Sequence, residues 1–126
     1  MNWQDYPNFT KEEFDCQHTG ENAMQPDFMQ RLQALRTEYG KPMIITSGYR
    51  STEHPIEAAK QTIGPHTTGR ACDVSVSGEN ALLLLSLAVK HGFTGIGVKQ
   101  KGSRRFLHLD DLTIADGYAR PTIWSY

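Results

Sequence analysis

Glycine and proline recur so often in this chain that only two segments are free to form long helices: 11 glycines and 6 prolines are spread over 126 residues. Pro26 suits the first turn of a helix, and apolar residues then recur at helical spacing, which predicts a helix over residues 26–39. The leucine-rich segment 82–87 predicts a second helix, capped by Ser77 or Asn80. Because this segment is almost continuously apolar, we expect it to belong to the core and to pack against a sheet.

The other regular segments are short, and their patterns are typical of strands. Runs of β-branched residues or of alternating polarity predict strands over residues 43–47, 71–77, 95–99 and 105–110, the last two joined as a hairpin. Residues 51–70 are expected to be mostly loop, and the tail 120–126 is expected to pack an aromatic side chain on the body. We therefore expect one α+β domain over residues 1–126, with a small, mainly antiparallel sheet and two principal helices.

The composition excludes several classes of partner. The formal net charge of −1 gives no general attraction to nucleic acid or anionic lipid, and no apolar run approaches the ~20 residues of a membrane-spanning helix. We expect a monomer that binds no nucleic acid and does not insert into a membrane. The start of the chain has neither a basic nor an apolar stretch, so we expect no secretory signal peptide. Cys16 and Cys72 are too few for a disulfide framework and are expected to be free thiols.

Two potential metal ligands, His66 and Asp73, lie on either side of a turn at Thr68 and Gly69. Imidazole and carboxylate ligands suit zinc, and the turn could bring the two side chains together. A catalytic zinc ion needs a third protein ligand, for which His108 is the best candidate among the remaining histidines. The thiol of Cys72 is expected to face away from Asp73 and into the core, because neighbouring residues of a strand point to opposite faces.

Segments along nearly the whole chain resemble, in order, the zinc D-Ala-D-Ala carboxypeptidase family, and most closely its short phage and bacterial branch. This branch belongs to the lysostaphin, D-Ala-D-Ala and hedgehog metallopeptidase group. The resemblance implies the α+β fold of that group and one zinc ion held by His66, Asp73 and His108. The segments that carry it are Ser47–Ser51, His66–Asp73, Gly95–Val98, Phe106–Asp110 and Trp124–Tyr126.

The resemblance also implies that Arg50 lies near the metal and binds a carboxylate or polarises a carbonyl of a peptide substrate. A guanidinium suits this role because it offers a planar fork of donors and keeps its charge. The alternative is an ion pair between Arg50 and Glu53 or Glu57 at the surface. Tyr49, the preceding residue, is assigned to the substrate pocket, with a place in the core as the alternative.

The sequence departs from the family pattern at the position of the general base. Many members have an acidic residue three positions before the last ligand, where this chain has Arg105, and others have a histidine where Phe106 stands. Asp110 is the substitute candidate for the proton acceptor, since residues two apart on a strand share a face with each other. The alternative is that Asp110 orients His108 or Arg50, or simply ends the strand.

The function predicted is zinc-dependent hydrolysis of a peptide bond in peptidoglycan stem peptides. The enzyme would act as a D-Ala-D-Ala carboxypeptidase or as an endopeptidase of the stem or cross-link. The short chain resembles a phage lysin that is made in the cytoplasm and reaches the bacterial cell wall through a holin or within the virion. One alternative is a zinc-binding module of the same fold that has lost catalysis, and another is a metal-free structural protein.

Overall fold

The computed structural model describes residues 1–126 and contains four α-helices and five strands. The helices are α1 (Lys11–Phe14), α2 (Pro26–Tyr39), α3 (Pro55–Ala58) and α4 (Gly78–Lys90). The strands are β1 (Ile44–Ser47), β2 (Ala71–Ser75), β3 (Gly95–Lys99), β4 (Phe106–Asp110) and β5 (Thr122–Ser125). Short 3₁₀ helices cover Trp3–Asp5, Pro65–Thr68 and Ile114–Asp116.

The five strands form one sheet in the order β1-β2-β4-β3-β5. All neighbours are antiparallel except β3 and β5, which run parallel. In this register Asp73 of β2 lies opposite His108 of β4, and His108 lies opposite Gly97 of β3. The predicted α+β fold with a mainly antiparallel sheet and two principal helices is confirmed.

The core lies between one face of the sheet and the helices α2 and α4. Strand alternation sends Cys72, Val74, Leu107 and Leu109 to this face, where all four are buried. The same alternation leaves Asp73 and His108 on the opposite face. Cys72 is therefore the buried core thiol that the sequence predicts.

The leucine-rich segment of α4 is only partly buried, which corrects the expectation that all of it belongs to the core. Leu84 is fully buried, whereas Leu82 is 71% exposed and Leu83 is 38% exposed. The reason is geometric: one side of a single helix faces the sheet, and residues about half a turn away from that side must face solvent. No helix of the structure is both long enough and apolar enough to cross a membrane.

Two other segments differ from their predicted form. The tail does more than pack an aromatic side chain, because Thr122–Ser125 pairs with β3 and extends the sheet. The segment 51–70, expected to be mostly loop, contains α3 and the 3₁₀ helix Pro65–Thr68. Pro55 and Pro65 occupy the first positions of these two short helices, where the missing N–H has no intrahelical partner to lose.

Candidate metal centre and active site

His66, Asp73 and His108 converge on the sheet face opposite the helices. Their ligating atoms all lie within 4.8 Å of one another, and all three residues are buried. Asp73 Oδ1 is 3.3 Å from His66 Nε2 and 3.2 Å from His108 Nδ1. Asp73 and His108 occupy the middle of their strands, so the cluster lies over the centre of the sheet.

The turn before β2 brings His66 onto this face. His66 belongs to the 3₁₀ helix Pro65–Thr68, and Gly69 ends that helix with a φ of +76°. A Cβ atom at Gly69 would lie 2.0 Å from the carbonyl oxygen of Ala23, so both the dihedral angle and the close approach require glycine. The sequence correctly identifies this turn as the feature that joins the two ligands.

In each histidine, the ring nitrogen that faces away from Asp73 forms a hydrogen bond that fixes the orientation of the ring. Nδ1 of His66 lies 2.8 Å from the carbonyl oxygen of Gly48, which can only accept, so this nitrogen carries the proton. Nε2 of His108 lies 2.7 Å from Oδ2 of Asp110 and donates to that carboxylate. In the neutral form of each imidazole the other nitrogen, which faces Asp73, is unprotonated and can ligate a metal, as in metal-ligating histidines.

This donor set fits one zinc ion. Zinc–ligand bonds of ~2.0–2.1 Å in a tetrahedral arrangement separate the ligating atoms by about 3.3 Å. Asp73 Oδ1 lies at that distance from both unprotonated histidine nitrogens. Three acceptor atoms this close repel one another unless a metal ion or a proton lies among them. Three protein ligands also leave a fourth position for water or substrate, as in catalytic zinc sites.

The carboxylates of the site are held in the ionised form. Burial acts to raise the pKa of Asp73, but without a metal ion the facing nitrogens of His108 and His66 can hold a proton, and their hydrogen bonds and charge hold the pKa well below its usual range. Burial also acts to raise the pKa of Asp110, but His108 and Arg120 outweigh it and lower that pKa. An ionised carboxylate is the form that ligates a metal or accepts the His108 proton.

A cavity of about 660 Å³ reaches the ligand cluster at Asp73. Arg50 lines this cavity and approaches Asp73 Oδ2 with Nη2 at 3.8 Å. Its Nη1 lies 3.3 Å from Oε2 of Glu57, whose side chain is only 3% exposed. The predicted ion pair with Glu57 is present and holds the guanidinium in the cavity wall, whereas the binding of a substrate group by Arg50 stays a prediction. Tyr49 likewise lines the cavity and packs partly against the core.

Arg120 and Trp124, in the tail, are parts of the site that the sequence does not reveal. Arg120 donates from Nε and Nη2 to the two oxygens of Asp110 at 2.9 and 2.8 Å, and the Asp110 side chain is fully buried. The ring of Trp124 packs against the His108 ring at 5.1 Å, and the Arg120 guanidinium lies 5.1 Å above Trp124. The signal in the sequence that could have indicated this contact is Gly95, because a side chain there would occupy the space of Asp110 and Arg120.

The assignment of Asp110 as proton acceptor stays a prediction, and its contacts support the alternative role. One oxygen of Asp110 bonds to His108 and to Arg120, and the other bonds to Arg120 and to the backbone N–H of Leu112. The carboxylate therefore lies behind His108, on the side away from Asp73. A fully paired carboxylate with a lowered pKa is a poor general base.

A histidine–aspartate–histidine cluster that leaves a fourth coordination position, on the sheet face opposite the helices, is typical of a zinc hydrolase centre. A family model described as Peptidase M15 matches residues 7–110, and the chain belongs to this family. The protein is accordingly a metallopeptidase of a zinc-dependent family, and His66, Asp73 and His108 can hold its one metal ion. The match ends at residue 110, before Arg120 and Trp124. No curated protein matches the chain.

Proposed function

We propose that the protein hydrolyses a peptide bond in peptidoglycan stem peptides, with His66, Asp73 and His108 as its zinc ligands. The observation that carries this proposal is the cavity that joins the ligand cluster at Asp73 to Arg50. A ligand in this cavity can contact the metal site and a fixed guanidinium at the same time. Stem peptides end in a carboxylate and contain peptide carbonyls, so they offer both groups that a guanidinium recognises.

Zinc in such a site supplies an electrophile that polarises a carbonyl group and acidifies water. The chain's own residues prepare the site for this chemistry. The Gly48 carbonyl and the Asp110 carboxylate orient the two imidazoles, which keeps the ligating nitrogens unprotonated. Arg50, held by Glu57, donates to a carboxylate of the substrate or to the oxygen on which negative charge develops.

A second candidate function, a zinc-binding module without catalysis, is favoured by one specific observation. Asp73, a proposed metal ligand, is the only acidic residue that lines the cavity. Arg105 occupies the position where many family members have an acidic base, and it also lines the cavity. Without a free carboxylate near the substrate, the chain could bind a stem peptide and leave its bonds intact.

Incubation of the zinc-loaded protein with purified peptidoglycan and with defined muropeptides separates the two functions. A peptidase releases new amino groups, and mass analysis of the fragments identifies the bond that is cut as a terminal D-Ala–D-Ala bond or an internal one. The Arg50→Lys variant is the companion measurement, because it keeps the charge and loses the planar fork. Bound zinc without release of amino groups would contradict the peptidase and support the binding module.

For its biological setting we propose a phage lysin that acts on the bacterial cell wall after export through a holin or delivery with the virion. The similarity of the chain to the short phage and bacterial branch of the family supports this setting. Addition of the purified protein to bacteria with a permeabilised outer layer should lower the turbidity of the suspension. A turbidity that stays constant while isolated muropeptides are cleaved would contradict a lytic role.

A further inference from the structure

The cavity has an excess of positive charge that the proposed zinc ligands and Arg50 do not explain. Besides Arg50, three cationic residues line it: Lys99, Arg104 and Arg105. The only carboxylate in its wall is Asp73, a proposed metal ligand. The chain as a whole has a formal charge of −1, so this cluster is not the consequence of a generally basic surface.

These three cations, unlike Arg50, have no acidic partner. Seven of the 13 lysines and arginines form ion pairs with carboxylates. Four of the other six lie on the hairpin that joins β3 and β4, namely Lys99, Lys101, Arg104 and Arg105. Of these four, only Lys101 is absent from the cavity wall. Half of the lysines and arginines without an acidic partner, three of six, therefore line this cavity.

The hairpin holds these side chains through its own backbone. Nζ of Lys99 donates to the carbonyl oxygen of Ser103 at 3.0 Å, and Nε of Arg105 donates to the carbonyl oxygen of Gly102 at 2.9 Å. Arg104 has a φ of +56°, in the left-handed region that residues other than glycine rarely adopt. Both bonded groups retain free N–H donors for a further acceptor.

The strand register gives the distance of this cluster from the metal site. Lys99, Phe106 and Ser75 form one row across the sheet, and Gly97, His108 and Asp73 form the next row on the same face, two residues away. Rows that are two residues apart are separated by about 6.6 Å. An extended peptide advances ~3.3–3.6 Å per residue, so a ligand carboxylate at Lys99 belongs to a group at least about two residues from the scissile bond.

We propose that Lys99, Arg104 and Arg105 form a subsite for a second carboxylate of the substrate. The subsite would make the protein selective for acidic stem peptides, in which the residues near the cleaved bond carry free carboxylates and not amides. This inference rests on the proposed function for the identity of the peptide. The contribution of Arg50 is separate, because Arg50 forms ion pairs with Glu57 and Asp73.

The test compares two fluorescent stem pentapeptides that differ only at the second residue, which is γ-linked D-glutamate in one and γ-linked D-isoglutamine in the other. Stopped-flow anisotropy measures their binding to the zinc-loaded protein before cleavage. Because each exposed charge pair contributes little, we expect the acidic peptide to bind about 10-fold more tightly through the three cations together. In the triple variant Lys99→Gln, Arg104→Gln, Arg105→Gln this preference should fall below about 2-fold, with the affinity for the amide peptide unchanged.

Lys101→Gln is the matched control, since it removes a positive charge from the same hairpin outside the cavity. The control should keep the preference for the acidic peptide. Equal binding of the two peptides by the wild-type protein would overturn the subsite, and so would an equal loss of preference in the triple variant and the control. A preference for the acidic peptide without cleavage of either peptide would contradict the proposed hydrolysis and leave the subsite standing.

Discussion

Replacement of Arg120 by methionine should weaken zinc binding although Arg120 does not touch the metal ligands. Arg120 makes two hydrogen bonds to Asp110, at 2.9 and 2.8 Å, and Asp110 in turn holds His108. The Asp110 side chain is 0% exposed and the Arg120 side chain is 8% exposed, so the variant leaves a buried carboxylate without its cation. Removal of one partner of a buried ion pair costs about 3–5 kcal/mol of unfolding free energy.

For a chain of this size, a loss of 3–5 kcal/mol lowers the melting temperature by roughly 4 °C per kcal/mol, or about 12–20 °C. Loss of the group that orients a metal-ligating histidine lowers metal affinity by about 10–100-fold. Thermal unfolding by circular dichroism measures the first effect, and competition with a chromophoric chelator at 20 °C measures the second. Arg120→Lys should retain part of the thermal stability and part of the zinc affinity, because it keeps the charge and loses the bidentate contact.

The control is Arg36→Met on α2, which removes a partly buried arginine that forms no ion pair. This variant should bind zinc with wild-type affinity. The reasoning is refuted if Arg120→Met stays folded and binds zinc within about 2-fold of the wild-type affinity. It is refuted equally if Arg36→Met weakens zinc binding as much as Arg120→Met does.

Three further substitutions test other parts of the site. Asp110→Asn should weaken zinc binding about 10–100-fold, measured by chelator competition, if Asp110 positions His108. Normal zinc affinity with initial rates of hydrolysis reduced about 10²–10⁴-fold would instead identify Asp110 as the base. Arg50→Lys should lower kcat/KM about 10–100-fold, the value of one charge-assisted hydrogen bond, while the melting temperature changes by only a few degrees; unchanged turnover would remove Arg50 from the site. Gly69→Ala should cost about 2–5 kcal/mol in urea unfolding because its new Cβ meets the Ala23 carbonyl oxygen, whereas Gly20→Ala, at a φ of +77° with nothing within 4 Å, should cost only the ~1–2 kcal/mol of the left-handed conformation.

The parts of the fold that sequence reasoning predicts are those fixed by local patterns. The helix over residues 26–39 is found with the predicted bounds, because a proline begins it and a glycine ends it. Four of the five strands are found close to their predicted positions for the same reason. β5 escapes prediction because Thr122–Ser125 is short and mostly exposed, so it has no clear alternation of buried and exposed residues. Its pairing with β3 depends on tertiary contacts that periodicity does not reveal.

The candidate site likewise has one part that local sequence patterns predict and one part that they do not. The convergence of His66, Asp73 and His108 follows from a turn and from a strand register, and both leave traces in the sequence. The surroundings of Asp110 leave no such trace, because Arg120 comes from the tail, whose position depends on the pairing of β5 with β3. Asp110 is therefore predicted as a base from its position beside His108, whereas its partners favour a role in positioning that histidine.

The zinc content of the wild-type protein and of His66→Ala tests the central claim most directly. Native mass spectrometry after dialysis against a mild chelator should show one zinc ion per wild-type chain. In His66→Ala the ion should be absent while circular dichroism shows a folded chain, because two protein ligands seldom hold a catalytic zinc ion. A wild-type chain without zinc, or a His66→Ala chain that retains one full equivalent, would contradict the metal centre on which the proposed function depends.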